Sequence, residues 1–346
     1  HHPVGVSVGS MFSIRTAISR YTHSTLLLLR DQMLGKYKVL EPLGSGGFGS
    51  VYLAHDTWID KKVAIKVPHR QNLDFGELLK EPRLLASLNH PNVVSITTAE
   101  KQNDIFFIVM EYVSGATLEQ IIETEGALEL SRGLDYICQI CNAVDHAHAQ
   151  GVLHRDLRPG NVLVSRTGLL KVADFGTARF LEIAAHGSTV IGSPAYMAPE
   201  VFDGKAVFAS DIYSLGCTMY QILTGSAPYA PPAPKELDKL MSGELVSAPR
   251  LKNPNIPTRV SEIIMRAMAP NISERYKQAN DVLTDLLDGR PENSVRRTHS
   301  NQTSNHERPL SVSSHASDTP QQRFCWHCRK PLAAKTDRCP FCREMQ

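Results

Sequence analysis

Long apolar runs are missing from this sequence. No segment approaches the roughly 18 consecutive apolar residues that a membrane-spanning helix needs; the nearest is Leu26–Leu29. No membrane partner is therefore expected. The apolar core of a secretory signal is missing as well. Charge imbalance is small: 37 Lys and Arg against 35 Asp and Glu leave a formal net charge of +2. That argues against an extended nucleic-acid surface and against a strongly acidic partner. Cysteine is sparse through most of the chain, since of seven cysteines all but Cys138, Cys141 and Cys217 fall beyond residue 324. A secreted disulfide framework would spread them out, so a reducing setting, the cytoplasm, is expected. No internal repeat is visible. With 42% apolar and 21% charged residues, the composition is that of ordinary globular material.

Residues 1–33 contain no acidic residue before Asp31, and Arg15, Arg20 and Arg30 sit among Ser and Thr. An acid-poor, Arg- and Ser-rich stretch can be a targeting peptide; the plainer reading is a disordered leader, or an upstream extension of a chain that starts at Met33. From Tyr37 the pattern turns to short β-branched or apolar runs broken by Gly and Asp: Lys38–Leu40, Val51–Leu53, Val63–Ile65 and Ile105–Met110. They predict strands of an antiparallel sheet. After Leu118 the period shifts to about 3.6. Leu130, Leu134, Ile137, Cys138, Cys141 and Val144 share one helical face; a second helix is predicted from Asp211 through Ile222, stopped by Gly225 and Pro228; a last one carries Val282, Leu283, Leu286 and Leu287. Residues 289–322 hold hardly any apolar side chains, cannot bury enough surface to offset their ordering entropy, and read as a flexible linker.

Several motifs point to phosphate chemistry. Gly44-Ser45-Gly46-Gly47-Phe48-Gly49-Ser50-Val51 has the spacing G-x-G-x-x-G-x-V. The same spacing serves dinucleotide folds, but there it joins a strand to a helix, and here it joins two predicted strands. Glycines at such a turn let backbone amides close over phosphates with no Cβ in the way. Val63-Ala64-Ile65-Lys66 puts a lysine in an apolar strand, where it needs an anionic partner. Glu81, three and four residues from Leu78 and Leu85, lies on the apolar face of a predicted helix and could supply it. The alternative for an isolated case is a lysine snorkelling from an edge strand. His154-Arg155-Asp156-Leu157-Arg158-Pro159-Gly160-Asn161 forms a polar loop before the strand Val162–Val164. Asp156 can accept the proton of a substrate hydroxyl, and Asn161 offers an oxygen to Mg²⁺. Asp174-Phe175-Gly176 follows another strand, with Asp174 as the main carboxylate for the metal.

In this order and at these spacings, with Ala198-Pro199-Glu200 after them, the residues resemble the eukaryotic-like, or Hanks-type, protein kinase family over about residues 37–288. His90-Pro91-Asn92, Asp211 and Arg275, the last as partner of Glu200, also match. The resemblance implies an α+β bilobal protein kinase fold, with a strand-rich N-lobe, a helical C-lobe and ATP in the cleft. It implies that Leu43, Gly44, Gly46, Gly47, Phe48, Gly49 and Val51, together with Ala64, Lys66 and Leu163, contact the nucleotide. Met110 would guard the back of the adenine pocket, and Glu111 and Val113 would offer backbone hydrogen bonds. ATP and Mg²⁺, or Mn²⁺, are the implied cofactors, and protein substrates the implied partners. Gly192–Met197 and Pro159 resemble the serine/threonine branch, in which a residue at the position of Ser193 reaches back to the catalytic Asp.

Two positions depart from the family pattern. Arg158 stands where lysine is usual; it keeps the charge and can reach the γ-phosphate, but with a different geometry. Pro82 follows Glu81, so the helix is expected to be kinked there or to start there, which would make the Lys66–Glu81 pair conditional. In the segment between Asp174 and Glu200, Ser188 and Thr189 are candidate phosphorylation sites that would order the segment through Arg155, with Thr177 weaker and plain exposed hydroxyls as the alternative. A kinase-like scaffold without activity would be free to lose Lys66, Asp156, Asn161 or Asp174, and none is lost.

Cys325-Trp326-His327-Cys328 and Cys339-Pro340-Phe341-Cys342 are two C-x-x-C knuckles. Such a pair predicts tetrahedral Zn²⁺ held by Cys325, Cys328, Cys339 and Cys342, in a module over residues 323–346 that resembles a zinc ribbon, with His327 as bystander or substitute ligand. So short a segment needs the metal to fold. A redox pair is the alternative. The nearby Arg329, Lys330, Lys335, Arg338 and Arg343 are a modest basic set, so a docking partner or a dimer contact is expected there at least as readily as nucleic acid. Cys138 and Cys141 also read C-x-x-C, but they lie on an apolar helix face and are expected to be core.

Overall fold

The computed structural model describes residues 28–47, 49–69, 71, 75–175, 193–288, 323–324 and 331–332; the side chains of Phe75, Glu77, Lys80, Glu81, Leu84 and Pro234, and those of 323–324 and 331–332, lie outside the description. The chain divides into two compact units, one holding residues up to Ala86 and Ile96–Tyr112, the other Ser87–Ser95 and everything from Val113.

The first unit is a six-stranded antiparallel sheet. Its strands are β1 (Met33–Leu34), β2 (Tyr37–Gly46), β3 (Gly49–Asp56), β4 (Lys61–Pro68), β5 (Ile96–Gln102) and β6 (Ile105–Glu111), in the order β1-β2-β3-β4-β6-β5. Residues alternate across the sheet because successive side chains point to opposite faces. Tyr37, Val39, Tyr52, Ala54, Val63, Ile65, Val67, Phe107 and Val109 fall on one face and form a single buried cluster. Leu28 and Leu34 belong to that cluster, and the Leu28 N–H donates to Tyr52 Oη at 3.2 Å. The leader expected to run to residue 33 therefore does not stay apart from the fold over its last residues: Leu28–Leu34 packs on the sheet, with Asp31 pairing to Lys38 at 2.8 Å.

The helix expected around Glu81 is broken, but not at Pro82. α1 (Phe75–Leu78) stops and α2 (Lys80–Leu85) begins after Leu79. The first helical hydrogen bond of α2 runs from Arg83 N to Leu79 O at 3.1 Å. Pro82 thus sits in the first turn, where the missing N–H would have had no intrahelical acceptor. Leu78 and Leu79 pack on Phe106, Ile108, Ile96 and Met110 of β5 and β6.

Up to Asp288 the described residues of the second unit include a three-stranded antiparallel sheet of β7 (Gly115–Thr117), β8 (Val162–Ser165) and β9 (Leu170–Val172). Its helices are α3 (Leu118–Glu125), α4 (Leu130–Ala149), α5 (Phe208–Thr224), α6 (Leu237–Ser242), α7 (Pro249–Lys252), α8 (Thr258–Ala267) and α9 (Ala279–Asp288). α4 follows its predicted period, with Ile137, Ile140, Cys141 and Val144 buried and Leu130, Leu134 and Cys138 at the half-buried rim. Its N-terminus is capped by Glu129, whose carboxylate accepts from Ser131 N and Arg132 N. α5 starts three residues before Asp211 and is buried almost all round; such a helix belongs to a core rather than a surface. Gly225 ends it in a left-handed conformation at φ 79°, where a Cβ would lie 2.8 Å from Ala127 N.

Residues 1–27, the linker 289–322 and the four C-terminal cysteines lie outside the described residues. Of that tail the structure places only an antiparallel pair, β10 (Arg323–Phe324) with β11 (Pro331–Leu332). Among the described residues no helix is long and apolar enough to cross a membrane.

Candidate functional site

In the first unit the glycine-rich turn joins β2 to β3, as its sequence context predicted. Its glycines answer to different demands. A Cβ on Gly49 would meet Val67 O at 2.4 Å, so β4 itself requires glycine there. A Cβ on Gly44, Gly46 or Gly47 would meet no atom within 4 Å among the described residues beyond its chain neighbours, and none of the three has a positive φ. Neither packing nor backbone conformation asks for glycine at these three positions, whereas a phosphate approached by backbone amides would. The turn is braced by Ser45 Oγ and Ser50 Oγ at 3.1 Å and by His69 Nε2 on Gly46 O at 2.8 Å. Leu43 is exposed; Phe48 lies outside the described residues.

Lys66 on β4 is buried at 6% exposure. It faces Val51 across β3 and Ile108 across β6, and two residues earlier Ala64 faces Met110. The sheet register thus gathers four of the residues expected to hold nucleotide. Glu111 closes β6, with Val63 as its partner. The Glu81 side chain, expected partner of Lys66, lies outside the described residues.

In the second unit the loop His154–Asn161 hangs on a buried carboxylate. Asp211 Oδ2 accepts from His154 N at 2.7 Å and Oδ1 from Arg155 N at 2.8 Å, while His148 Nε2 lies 2.8 Å from Oδ2. Burial pushes the Asp211 carboxyl up, but the hydrogen bond and charge of His148, with the backbone of His154, outweigh it and hold the group below its ordinary value. The loop's ring, His154, is fully buried, and burial drives its pKa down against the carboxylates of Asp211, Asp156 and Asp174. Its Nε2 donates to Ala173 O at 3.0 Å and its Nδ1 accepts from Asp156 N at 3.3 Å, which suits the neutral ring.

The reactive side chains sit on this frame. Asn161 Nδ2 donates to Asp156 O at 2.7 Å and to Asp156 Oδ2 at 3.0 Å. With both amide hydrogens engaged, the Asn161 side-chain oxygen is the atom that can ligate a metal. Ala173 N donates to Asn161 O at 2.8 Å, which sets Asp174, the next residue, beside it. Asp174 and Arg155 both take left-handed backbone, at φ 61° and 70°; such strain is characteristic of functional loops. Asn161 and Asp174 are hard oxygen donors of the kind Mg²⁺ takes, and in a chain that binds ATP they would hold it. Among the described residues no group of three or more His, Cys, Asp or Glu could hold a metal ion alone. Leu163 on β8 is half-buried opposite Lys171, and Val113 precedes β7.

Two expectations need correction or addition. Among the described residues no hydrogen bond joins Ser193 to Asp156; that carboxylate is engaged by Asn161 and faced by Arg158, whose Nε lies 3.9 Å from Oδ2. Arg158, expected to reach toward phosphate, is held by a residue the sequence did not single out: its Nη1 donates to Glu119 Oε1 of α3 at 3.0 Å. Nothing local marks Glu119, and the departure at Arg158 was the only available signal. His148, also missed, could have been sought from the need of a buried Asp211 for a partner on the preceding helix.

Further along, Glu200 and Arg275 form the expected pair in bidentate geometry, with both oxygens at 2.7 Å from the guanidinium. Gly176, Thr177, Ser188, Thr189 and Gly192 lie outside the described residues.

Residues 37–307 match the protein kinase domain family. Among curated proteins the chain is similar to serine/threonine-protein kinase PrkC of Bacillus subtilis, 37% identical over 268 residues that cover 75% of this chain and 41% of that protein. It is also similar to serine/threonine-protein kinase PknB of Mycobacterium tuberculosis, 34% identical over 265 residues covering 73% and 42%. The chain thus spans less than half the length of these relatives. Among solved structures, Rad53 residues 1–466 in complex with AMP-PNP aligns at a TM-score of 0.63 and 28% identity, covering 72% of this chain and 64% of that one.

Proposed function

Because the chain belongs to the protein kinase domain family, we propose that it is an ATP-dependent serine/threonine protein kinase, transferring the γ-phosphate of ATP to Ser and Thr hydroxyls of protein substrates. The observation that carries this reading is the Asp156–Asn161 unit, a carboxylate and an amide fixed against each other at 3.0 Å on a loop whose backbone is anchored by Asp211. Asp156 accepts and orients the substrate hydroxyl. Asn161 and Asp174 would hold Mg²⁺, which would supply positive charge to neutralise the phosphates. Lys66 grips the α- and β-phosphates under the glycines of the β2–β3 turn. The relatives' names, and Pro159 in the loop, support serine and threonine as acceptors.

Regulation by phosphorylation of Ser188 or Thr189 fits the same reading, with Arg155 as the cation that receives the new charge. Incubating the full chain with ATP and Mg²⁺ and mapping the product by mass spectrometry tests both parts. Phosphate on Ser and Thr, including Ser188 or Thr189, is expected. Phosphate confined to tyrosine contradicts the acceptor assignment, and active protein with Ser188 and Thr189 both unmodified contradicts the regulatory one.

The C-terminal module is read as a zinc ribbon that docks a partner or a second copy. Its support is the double C-x-x-C spacing, with β10 and β11 bracketing the first knuckle, Cys325–Cys328, in sequence. Metal analysis should find about one zinc per full chain, as one tetrahedral four-cysteine site requires, and its loss in Cys325→Ser; a zinc-free wild type purified without chelator rejects the ribbon.

A further inference from the structure

We propose that Glu119 is a positioning residue for phosphoryl transfer: it holds the Arg158 guanidinium beside Asp156 without letting it close on the catalytic carboxylate. The inference rests on the kinase reading and adds a residue to it.

The geometry is that of one cation shared between two carboxylates. Arg158 Nη1 is 3.0 Å from Glu119 Oε1, and Arg158 Nε is 3.9 Å from Asp156 Oδ2. The first distance is a hydrogen bond and the second is too long for one. The Nε atom is buried and has no hydrogen-bond partner among the described residues. A donor that close to a carboxylate would shorten the gap if the guanidinium were free to move. Glu119 prevents this by holding the far end of the fork.

Both mounts are rigid. Glu119 lies in the first turn of α3, whose start is fixed by a reciprocal cap: Thr117 Oγ1 accepts from Gln120 N at 3.1 Å and Gln120 Oε1 accepts from Thr117 N at 3.0 Å. Arg158 stands between buried Leu157 and buried Pro159, and its carbonyl accepts from Asn161 N at 2.9 Å.

Gly160 gives independent support. A Cβ there would lie 2.5 Å from Arg158 Nη1, 2.8 Å from Arg158 Cζ and 2.8 Å from Glu119 Oε2. In this arrangement the ion pair fills the space a side chain at 160 would take, so a Cβ there would displace it. A lysine at 158 carries its three donors on one nitrogen and cannot present two separate nitrogens, one to Glu119 and one toward Asp156, as the guanidinium does. Arg158, Gly160 and Glu119 are therefore one device, and the departure at 158 is coupled to the other two.

Stability does not explain the pair. Its side chains are 28% and 34% exposed, and partly exposed ion pairs contribute little to folding. Its charges reach a neighbouring side chain: Tyr196, pushed up to about 12 mainly by burial, is raised further by Glu119 and lowered by Arg158.

Steady-state kinetics on the full chain test this. Glu119→Ala and Gly160→Ala should each lower kcat about ten-fold, a modest share of the transition-state barrier, with KM for ATP unchanged within about two-fold and Tm unchanged within about 2 °C. The double variant should be no slower than the slower single one, since both release the same guanidinium. Wild-type kcat in Glu119→Ala, independent multiplication of the two losses, or losses that track a lowered Tm would each overturn the proposal. A wild type with no transferase activity would instead reject the kinase reading on which it rests.

Discussion

Replacing Arg275 with methionine is expected to cost about 3–5 kcal/mol of stability, the usual result of removing one member of a buried pair. The size follows from how completely the guanidinium is used. Its side chain has no exposure, and each of its five N–H donors has an acceptor. Nε donates to Ala269 O at 2.6 Å; Nη1 to Glu200 Oε1 at 2.7 Å and Ala209 O at 3.0 Å; Nη2 to Glu200 Oε2 at 2.7 Å and Pro270 O at 2.8 Å. Methionine preserves bulk but takes the side-chain donor away from three carbonyls and strands a carboxylate whose other side-chain partner among the described residues is Ser210, at 2.6 Å. Thermal unfolding should drop by roughly 6–20 °C for a unit of this size. A shift of under about 2 °C would mean that solvent or a rearrangement satisfies those groups.

The same pair sets a pH signature. Burial raises the Glu200 carboxyl, but the hydrogen bonds from Arg275 and Ser210 outweigh it, and the group titrates below its ordinary value of 4.5. A carboxylate with a depressed folded pKa stabilises the fold fully above its unfolded pKa and loses that contribution as pH falls through the folded value. Acidification below about pH 4.5 should therefore erode the wild type. In Arg275→Met the buried carboxylate has no cation, so protonation relieves it, and the gap in Tm between the two proteins should narrow as pH falls. A gap that stays constant from neutral pH to about pH 3 would contradict this account of the pair.

The largest expected effect on rate comes from Asp156→Asn, which should slow phosphoryl transfer by about 10²–10⁴-fold, the range for loss of a positioned general base. The substitution is nearly isosteric, and the new amide oxygen can still accept from Asn161 Nδ2, so the loop held by Asp211 should keep its shape and Tm should hardly move. A variant retaining more than about a tenth of the wild-type rate would show that Asp156 is not the group that receives the hydroxyl.

Most of the fold was legible because its elements carry local signals. The strands from Tyr37 to Met110 alternate in the expected way, α4 follows the period of Ile137, Cys141 and Val144, and α5 ends at the glycine that its left-handed cap requires. The motif residues were legible by type and spacing, and the structure joins Glu200 to Arg275 as expected; the hydrogen bond between Asn161 and Asp156 is added by the structure. What escaped depended on partners distant in sequence. Leu28 is apolar in an acid-poor leader, and only its burial against Tyr52 and the sheet ties it to the fold. The helix around Glu81 broke at Leu79 rather than at Pro82, since a proline is tolerated within a first turn and the chain shifts the helix start to place it there. Glu119 is an ordinary charged residue on a short helix until Arg158, 39 positions later, is seen to donate to it.

The central claim, that this chain phosphorylates proteins on Ser and Thr, is tested most directly by incubating the full chain with γ-labelled ATP, Mg²⁺ and a generic basic protein, then identifying the labelled amino acid. The account predicts labelled phosphoserine or phosphothreonine on the added protein, dependent on Mg²⁺. Release of labelled inorganic phosphate with no protein labelled, or no turnover at all, would contradict it.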